Sequence, residues 1–158
     1  MISVAIRRWS EIQNLTVYIP TEGRVMGQVE DFYFKAGSGA IYALLVRNRI
    51  EGKRVLSVIG IQAIEKDRVT ITNSQMLTRM LPPLPQGDRL RGSRVLDEKG
   101  DEVGTVGDIW LAVDRPSALH IASFELAGKR NKTVSADEVI EYSDDGITVY
   151  DRTARYLR

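Results

Sequence analysis

The sequence has no cysteine and a single histidine, His120, among its 158 residues. The absence of cysteine excludes disulfides, thiol nucleophiles and cysteine-ligated zinc or iron–sulfur sites. A single histidine excludes metal sites that are built from several imidazoles. The net charge is only +1, so no overall field attracts the chain to nucleic acid or to an anionic membrane. We therefore expect no cofactor and no metal, and any electrostatic recognition must come from local patches.

Long apolar runs are also lacking. No window approaches the roughly 18 apolar residues that a membrane span needs. Residues 1–9 lack the basic, apolar and small-residue regions of a secretory signal. An apolar fraction of 43% with 27% charged residues is typical of a folded, soluble protein. The sequence predicts a cytoplasmic protein without a transmembrane segment, and it leaves open a peripheral location at a membrane.

One pattern of glycine and aspartate occurs twice, 77 residues apart. The two copies are Gly23, Gly27, Val29, Asp31 and Gly100, Gly104, Val106, Asp108. Apolar matches continue the repeat, with residues 41–46 aligned to 119–124 and residues 64–65 aligned to 140–141. A repeat of this length, with the offset drifting slightly across loops, indicates an internal duplication.

Each copy of the repeat predicts five or six short strands separated by turns. Gly23 and Gly100 lie where a tight hairpin needs a positive φ. Gly27 and Gly104 fall inside the next strand, where glycine marks a bulge or a close backbone approach.

The apolar alternation of this strand slips by one residue in both copies. Val29 and Phe32 are three residues apart, and so are Val106 and Ile109, whereas a strand alternates with a period of two. A β-bulge between them would produce the slip and would bend the strand, as the closure of a small barrel requires.

The predicted domain organisation has four segments: residues 1–72, 73–87, 88–151 and 152–158. Residues 73–81 predict a short helix capped at Asn73 or Ser74. Four apolar residues share one face of that helix and are expected to pack on a barrel, namely Met76, Leu77, Met80 and Leu81. The prolines of residues 82–85 predict a stiff, extended connector. Residues 152–158 are expected to form a frayed basic tail.

The duplicated pattern resembles that of the PRC-barrel family, whose members carry a strand of the form Val-x4-Gly-x3-Gly-x-Val-x-Asp, then a hydrophobic strand, a polar hairpin and a closing pair of strands. The resemblance covers about residues 7–72 and 88–151. It implies an all-β fold of two tandem small PRC-barrel-like β-barrels, joined by a short helix and a Pro-rich linker.

The family includes the cytoplasmic domain of the photosynthetic reaction-centre H subunit and the C-terminal domain of a ribosome-maturation factor. What the resemblance implies is therefore a module that docks onto a partner. This sequence lacks the membrane anchor of the first protein and the different N-terminal barrel of the second. Neither specific role is carried over, and the family offers no catalytic residue to transfer.

The side chains that could carry chemistry are few. His120 lies in an apolar strand, which favours a structural or edge-strand role. Asp31 and Asp108 could form a carboxylate pair, but they fall in separate barrels; acceptance of backbone N–H bonds at the bulges is favoured. The acidic pair Asp97-Glu98 predicts a solvated turn. No enzyme motif is found, and we expect a protein that is not an enzyme.

Two polar hairpins are basic and are the candidate partner-binding residues: Arg47, Arg49, Lys53 and Arg54 in the first repeat, and Lys129, Arg130 and Lys132 in the second. They could form a divided cationic surface for RNA, acidic protein or anionic lipid. They could equally be hairpins kept soluble by charge. Trp110 aligns with Tyr33, which suggests a packing role; a solvent-facing aromatic pair would instead suggest an interface anchor.

Three functional hypotheses follow. The first is a non-catalytic adaptor or assembly accessory that docks onto a protein complex, including a photosynthetic or other bioenergetic complex at a membrane surface. The alternative is an RNA- or ribosome-associated factor that uses the basic hairpins. The least favoured is a small-molecule-binding or enzymatic barrel, which would need a deep pocket between the barrels lined by Trp110 or His120. Neither the identity of the partner nor the oligomeric state follows from the sequence.

Overall fold

The computed structural model describes residues 5–143 and 145–158, with all of their side chains except those of Arg130 and Asn131. The fold is almost entirely β. Its strands are β1 Ile6–Arg8, β2 Thr16–Ile19, β3 Arg24–Phe34, β4 Ile41–Asn48, β5 Gly52–Ser57, β6 Ile61–Ile64, β7 Arg68–Ile71, β8 Leu77–Thr78, β9 Arg94–Leu96, β10 Glu102–Ala112, β11 His120–Leu126, β12 Lys129–Ser135, β13 Val139–Ser143 and β14 Gly146–Val149. The α-helices of the described chain are α1 Trp9–Ile12 and α2 Asp151–Leu157. Neither helix has the length and apolar character that crossing a membrane requires.

The strands form two seven-stranded sheets with the same internal order. One sheet runs β6-β7-β2-β3-β4-β5-β8, and the other runs β13-β14-β9-β10-β11-β12 with β1 added beside β10. In the first sheet β2 pairs in parallel with β7, and in the second β9 pairs in parallel with β14. The chain therefore follows the same path through both sheets.

The predicted hairpin glycines and one close backbone approach are confirmed. Gly23 has a φ of 61° and Gly100 a φ of 90°, the left-handed region in which other residues are strained. Gly27 has no room for a side chain, because a Cβ there would collide with the carbonyl of Arg47 on the neighbouring strand.

Both predicted bulges are present in the long central strands. The pairing of β3 with β4 shifts register between Val29 and Asp31. The pairing of β10 with β11 shifts register between Val106 and Ile109. A bulge adds one residue to one strand and bends it, so the same bend occurs at the same place in each sheet.

The segment that precedes each half pairs with the central strand of the other half. In β1, Arg8 pairs with Trp110 of β10. In the connector, Gln86 forms an isolated antiparallel bridge with Tyr33 of β3. Tyr33 and Trp110 are the two aromatic residues that align in the repeat. The two halves are thus interlocked by a reciprocal exchange of strand segments.

Most of the buried apolar side chains form one continuous cluster that both halves share, and Tyr33, Ala43, Leu45 and Val55 form a smaller second cluster. Trp9 packs edge-to-face on Phe32 with ring centroids 4.8 Å apart. Phe34 of the first sheet meets Tyr142 of the second at 6.4 Å, also edge-to-face. Side chains from the two sheets therefore share a core as well as a backbone exchange.

The connector differs from its prediction after one turn. The cap is confirmed, because the Asn73 side chain accepts a bond from the N–H of Gln75 at the start of a 3₁₀ turn, Ser74–Met76. The predicted helix through residue 81 is wrong, since Leu77 and the next residue pair with β5 as strand β8. Met80 is 84% exposed and does not pack on the protein. The first turn of an isolated helix is costly to form. Leu77 and Thr78 instead pair with a strand that is already part of a sheet.

The predicted basic tail is wrong. Residues 151–157 form α2, and Ala154 and Leu157 on one face of it are buried. Arg158 beyond the helix binds the carboxylate of Asp97 at 2.5 Å. The predicted acidic turn is present, because the N–H of Gly100 donates to the Asp97 carbonyl, and Glu98 in it is exposed. Asp97, however, is buried and not solvated; its side chain also accepts bonds from the N–H groups of Lys99 and Asp101. The sequence signal for this helix is that its two buried apolar residues, Ala154 and Leu157, are three positions apart, as on one face of a helix.

Candidate functional site

The two sheets meet at an antiparallel contact between the first residues of β4 and β11. Ala40 and His120 form the bridge. On either side of it, the N–H of Ile41 donates to the Leu119 carbonyl at 3.0 Å, and the N–H of Ile121 donates to the Gly39 carbonyl at 3.1 Å. We call residues 39–41 and 119–121 the seam. The two strands have a symmetric relation at the seam and lead away from it in opposite directions.

The seam corrects one detail of the repeat alignment. Ile41 pairs with Phe34 in the first sheet, and Ile121 pairs with Leu111 in the second. Ile41 is therefore equivalent to Ile121, whereas the sequence alignment matched it to Leu119. The shift of two residues lies in the loops before these strands, where the apolar pattern gives no register.

A groove of about 550 Å³ opens beside the seam, and both halves contribute to it. We call it the seam groove. Its walls are mainly apolar, and its described residues are Lys35, Ala40, Ile41, Tyr42, Ser57, Val58, Ile59, Ser117, Ala118, Leu119 and His120. Two large apolar side chains at its edge face solvent, because Ile59 is 81% exposed and Tyr42 is 44% exposed. Burial of one such side chain by a partner would contribute about 1.5–3 kcal/mol.

His120 stands at the rim of the groove on an exposed strand end. Its Nδ1 lies 2.8 Å from the Ala118 carbonyl oxygen. A carbonyl can only accept, so Nδ1 carries the proton in this contact and the ring is oriented by the backbone. This is the structural, strand-end role that the sequence favours.

The two repeated aspartates serve the bulges of their own strands. The Oδ1 of Asp31 accepts bonds from the N–H groups of Phe32 and Asp88, at 2.7 and 2.8 Å. The Oδ1 of Asp108 accepts from the N–H of Ile109 at 2.8 Å, and its Oδ2 accepts from the Ser10 hydroxyl at 2.6 Å. Burial raises the pKa of Asp31, against the effect of its two backbone donors. Each carboxylate thus accepts from the backbone at its own bulge and from one donor of the other half.

The basic side chains of the first hairpin are partly engaged within the protein. Arg47 donates to the Asn14 side chain at 2.7 Å, and Lys53 pairs with Glu30 at 2.8 Å. That carboxylate raises the pKa of Lys53. Arg49 is exposed at the hairpin tip.

The second hairpin does not join the first in one surface. Lys129 is exposed, whereas Lys132 donates to the Tyr156 carbonyl at 3.1 Å and lies 5.2 Å from the centroid of its ring. The side chain of Arg130 lies outside the described residues. Because β4 and β11 lead away from the seam in opposite directions, the two hairpins lie at opposite ends of the molecule. The predicted basic residues therefore form two separate patches.

The tryptophans have packing roles. Trp9 is fully buried, and its Nε1 donates to the Asp88 carboxylate at 2.8 Å. Trp110 lies under the guanidinium of Arg8, 4.3 Å from its ring centroid. The sequence pointed to His120 as a lining residue of a pocket between the barrels, and the seam groove contains it. It did not point to Ile59, whose only signal is the pair of adjacent apolar residues Val58-Ile59.

Comparison with known proteins agrees with the all-β fold. The family model described as "PRC-barrel domain" matches residues 6–76. The chain is also 22% identical, over 165 residues, to the uncharacterized protein YrrD of Bacillus subtilis (strain 168), with 94% of this chain and 90% of that protein covered. The first half of the chain thus contains one PRC-barrel domain.

Proposed function

From the PRC-barrel domain over residues 6–76, we propose that the protein is a non-catalytic adaptor that docks onto a partner protein through the seam groove. We propose further that the second half is another copy of the same barrel, and that the protein acts in the cytoplasm on a larger complex. The docking surface is then composite, because each barrel supplies one wall of the groove.

A second barrel is supported by topology and by sequence together. Both sheets have the same strand order, with one parallel pair at the equivalent place, β2 with β7 and β9 with β14. Asp31 and Asp108 stand at equivalent bulges, 77 residues apart. Because the two halves exchange strand segments, we propose that they act as one interlocked unit.

The observation that carries the docking proposal is the exposure of apolar side chains at the seam groove. Ile59 and Tyr42 stand at the edge of a recess that Leu119 and Ala118 close from the other half. A recess of about 550 Å³ has room for one or two side chains of a partner. Apolar patches rimmed by polar groups are typical of protein interaction sites.

A non-catalytic role is supported by how the titratable groups are used. Asp31 and Asp108 are occupied by backbone and hydroxyl donors, and the His120 ring is held by a backbone carbonyl. Catalysis needs a nucleophile, a base and a charge stabiliser that converge on one reacting atom. Side chains fixed in structural hydrogen bonds are poor candidates for those roles.

The alternative, RNA binding by the two basic hairpins, has less support. Arg47 and Lys53 bind groups of their own half, and the hairpins point to opposite ends. An RNA would need to reach both patches around the protein to use them together.

Site-specific photo-crosslinking tests the docking proposal in cells. A photoreactive amino acid at position 59 should give an adduct with a defined protein, and Tyr42→Ser should reduce that adduct at least tenfold. The same amino acid at position 50, which is 94% exposed in the native chain at the first hairpin, is the matched control and should not give this adduct. Adducts of equal yield at positions 50 and 59, or none at position 59, would contradict docking at the groove.

A further inference from the structure

Two arginines lie at the edge of the first sheet, where the pairing of β5 with β8 ends. The last pair of this ladder is Val55 with Thr78, and Arg54 and Arg79 are the residues next to it in the chain. Both line the same cavity. The chain thus has two cations together at the end of the sheet that holds the first hairpin.

The two guanidinium groups line a shared cavity of about 330 Å³ with a third, that of Arg24. We call it the arginine cavity. Glu51 is the one carboxylate among its described lining residues, so the lining carries a net charge of +2. Arg24 has an ion pair with Glu22 at 3.6 Å. Within the described part of the chain, Arg54 and Arg79 form no ion pair.

Exposed apolar side chains come directly before or after three of the residues that line the arginine cavity. Ile50 precedes the lining residue Glu51 and is 94% exposed; Met80 follows Arg79 and is 84% exposed. Val25, next to Arg24, is 55% exposed. The side chain of Asn48 donates to the Met26 carbonyl at 2.9 Å, which fixes the hairpin tip beside the start of β3.

Cationic groups with protruding apolar neighbours match the interface of an anionic bilayer. The apolar side chains can enter the boundary between headgroups and acyl chains, and the guanidinium groups can bind phosphate oxygens in a bidentate manner. A nucleic acid fits less well, because the described lining contains no aromatic side chain on which a base could stack. Protein carboxylates would not require large apolar side chains beside the cavity.

We propose that the arginine cavity binds the phosphate of an anionic phospholipid headgroup in a membrane surface, with Ile50 and Met80 inserted beside it. The lipid surface would hold the protein by the end of the first sheet. The seam groove lies at the opposite end of β4 and stays free. The inference specifies the surface at which the proposed adaptor acts, but it rests on different residues.

Vesicle co-sedimentation of the full chain tests the proposal. The protein should bind vesicles of mixed phosphatidylglycerol and phosphatidylcholine and should not bind vesicles of phosphatidylcholine alone. Arg54→Gln with Arg79→Gln should weaken the partition by roughly thirtyfold, about fivefold for each charge lost near the surface. Arg89→Gln with Arg115→Gln removes the same charge from exposed sites elsewhere and should have little effect.

The apolar side chains separate a membrane ligand from a soluble one. Ile50→Ser with Met80→Ser should weaken vesicle binding at least fivefold at unchanged charge. If instead inorganic phosphate or glycerol phosphate binds as tightly as the vesicles do and this double variant binds normally, a soluble phosphate compound is the ligand and the proposal is wrong. Vesicle binding that is unaffected by the Arg54 and Arg79 changes, or tighter binding to RNA than to vesicles, would also overturn it.

The seam groove provides a separate readout. Tyr42→Ser should leave vesicle binding intact and should reduce only the protein adduct that forms at position 59. Loss of vesicle binding in the arginine variant with retention of the adduct identifies two independent sites. Vesicle binding and the protein adduct can therefore refute the two proposals independently of each other.

Discussion

The backbone N–H of Asp88 donates to the Asp31 carboxylate at 2.8 Å, and so ties the start of the second half to the central strand of the first. The reciprocal contact is made by the Ser10 hydroxyl, which donates to Asp108 at 2.6 Å. A residue near the start of each half, Ser10 or Asp88, thus binds the bulge aspartate of the other half. The repeated aspartate closes its own bulge and also joins the two halves.

Replacement of Asp31 tests this double role. Asp31→Ala would leave the N–H groups of Phe32 and Asp88 without their acceptor in a buried site, at a cost of about 1–3 kcal/mol for each group. We expect a loss of roughly 2–5 kcal/mol in the free energy of unfolding, measured by urea denaturation. Asp31→Asn keeps an acceptor oxygen without a charge, and it should lose less than about 1 kcal/mol.

The Asp108 variants provide the comparison. Asp108 is less buried than Asp31, so water can replace it as a partner for the N–H of Ile109. Asp108→Ala should therefore lower the free energy of unfolding by less than Asp31→Ala does.

The two Asp31 variants separate charge from hydrogen bonding. Equal destabilisation by Asp31→Ala and Asp31→Asn would mean that the charge, and not the acceptor, is what the fold needs.

Gly87 allows the connector to lie on the first half. A Cβ at this position would collide with the ring of Phe32, which is fully buried and is held against Trp9. Gly87→Ala should cost about 1–3 kcal/mol, because overpacking forces a buried ring to move. Gly37→Ala is the control, since a Cβ there would contact nothing within 4 Å. A Gly87→Ala variant as stable as the Gly37→Ala variant would show that the connector is not fixed on Phe32.

The Tyr142 hydroxyl is buried, and among the described residues it has no hydrogen-bond partner. Tyr142→Phe removes an unpaired polar group without a change in packing, so we expect a gain of about 1 kcal/mol in the free energy of unfolding. Tyr33→Phe is the matched comparison, because the Tyr33 hydroxyl accepts a bond from Gln86 at 3.3 Å. That variant should be slightly less stable than the native protein, and a loss in both variants would mean that the Tyr142 hydroxyl has a partner after all.

Alkaline pH gives a second test of the same side chain. Burial raises the pKa of Tyr142 to about 12, whereas the unfolded phenol titrates near 10. Between these values the unfolded chain releases a proton that the native protein retains, so stability falls as pH rises from 10 to 12, by about 2–3 kcal/mol at the upper limit. The stability difference between the native protein and Tyr142→Phe should grow by this amount as pH rises from 10 to 12, and below pH 9 it should not change with pH. A difference that does not change with pH would place the phenol in solvent.

The local chemistry of the repeat could be predicted from the sequence, but the relation between the halves could not. Gly23 and Gly100 mark hairpins because a positive φ is a property of single residues, and the bulges at Asp31 and Asp108 follow from a slip in alternation. The seam depends on backbone bonds from Ile41 to Leu119 and from Ile121 to Gly39, which no side-chain pattern encodes.

The candidate site was missed for a related reason. The sequence draws attention to charge, as in Arg47 and Lys53, although both are engaged within their own half. Which of Val58 and Ile59 is exposed depends on the 3₁₀ turn Val58–Gly60 that they form, and strand alternation does not give it. An apolar residue in a β-rich segment is assigned to the core unless the topology is known.

Helix α2, predicted as a frayed tail, supports a final prediction. Leu157 is fully buried, whereas its neighbour Tyr156 is 60% exposed. Leu157→Ala should lower the free energy of unfolding by about 2–5 kcal/mol through the cavity it creates, and Tyr156→Ala should cost far less. Urea denaturation of both variants measures the difference. Equal stability of the two variants would mean that the C-terminal residues are indeed a dispensable tail.

Acid should weaken the attachment of the same helix. The N–H of Asp101 and, against the effect of burial, the guanidinium of Arg158 hold the pKa of Asp97 below its ordinary value. A carboxyl with a lowered native pKa stabilises the fold at pH values above its unfolded pKa, and that contribution is lost as pH falls through its native pKa. Below about pH 4, NMR signals of residues 151–158 should therefore broaden before those of the sheets, and Asp97→Asn should show this fraying already at pH 7. If Asp97→Asn kept the helix ordered at both pH values, the packing of Leu157 alone would be sufficient to hold it.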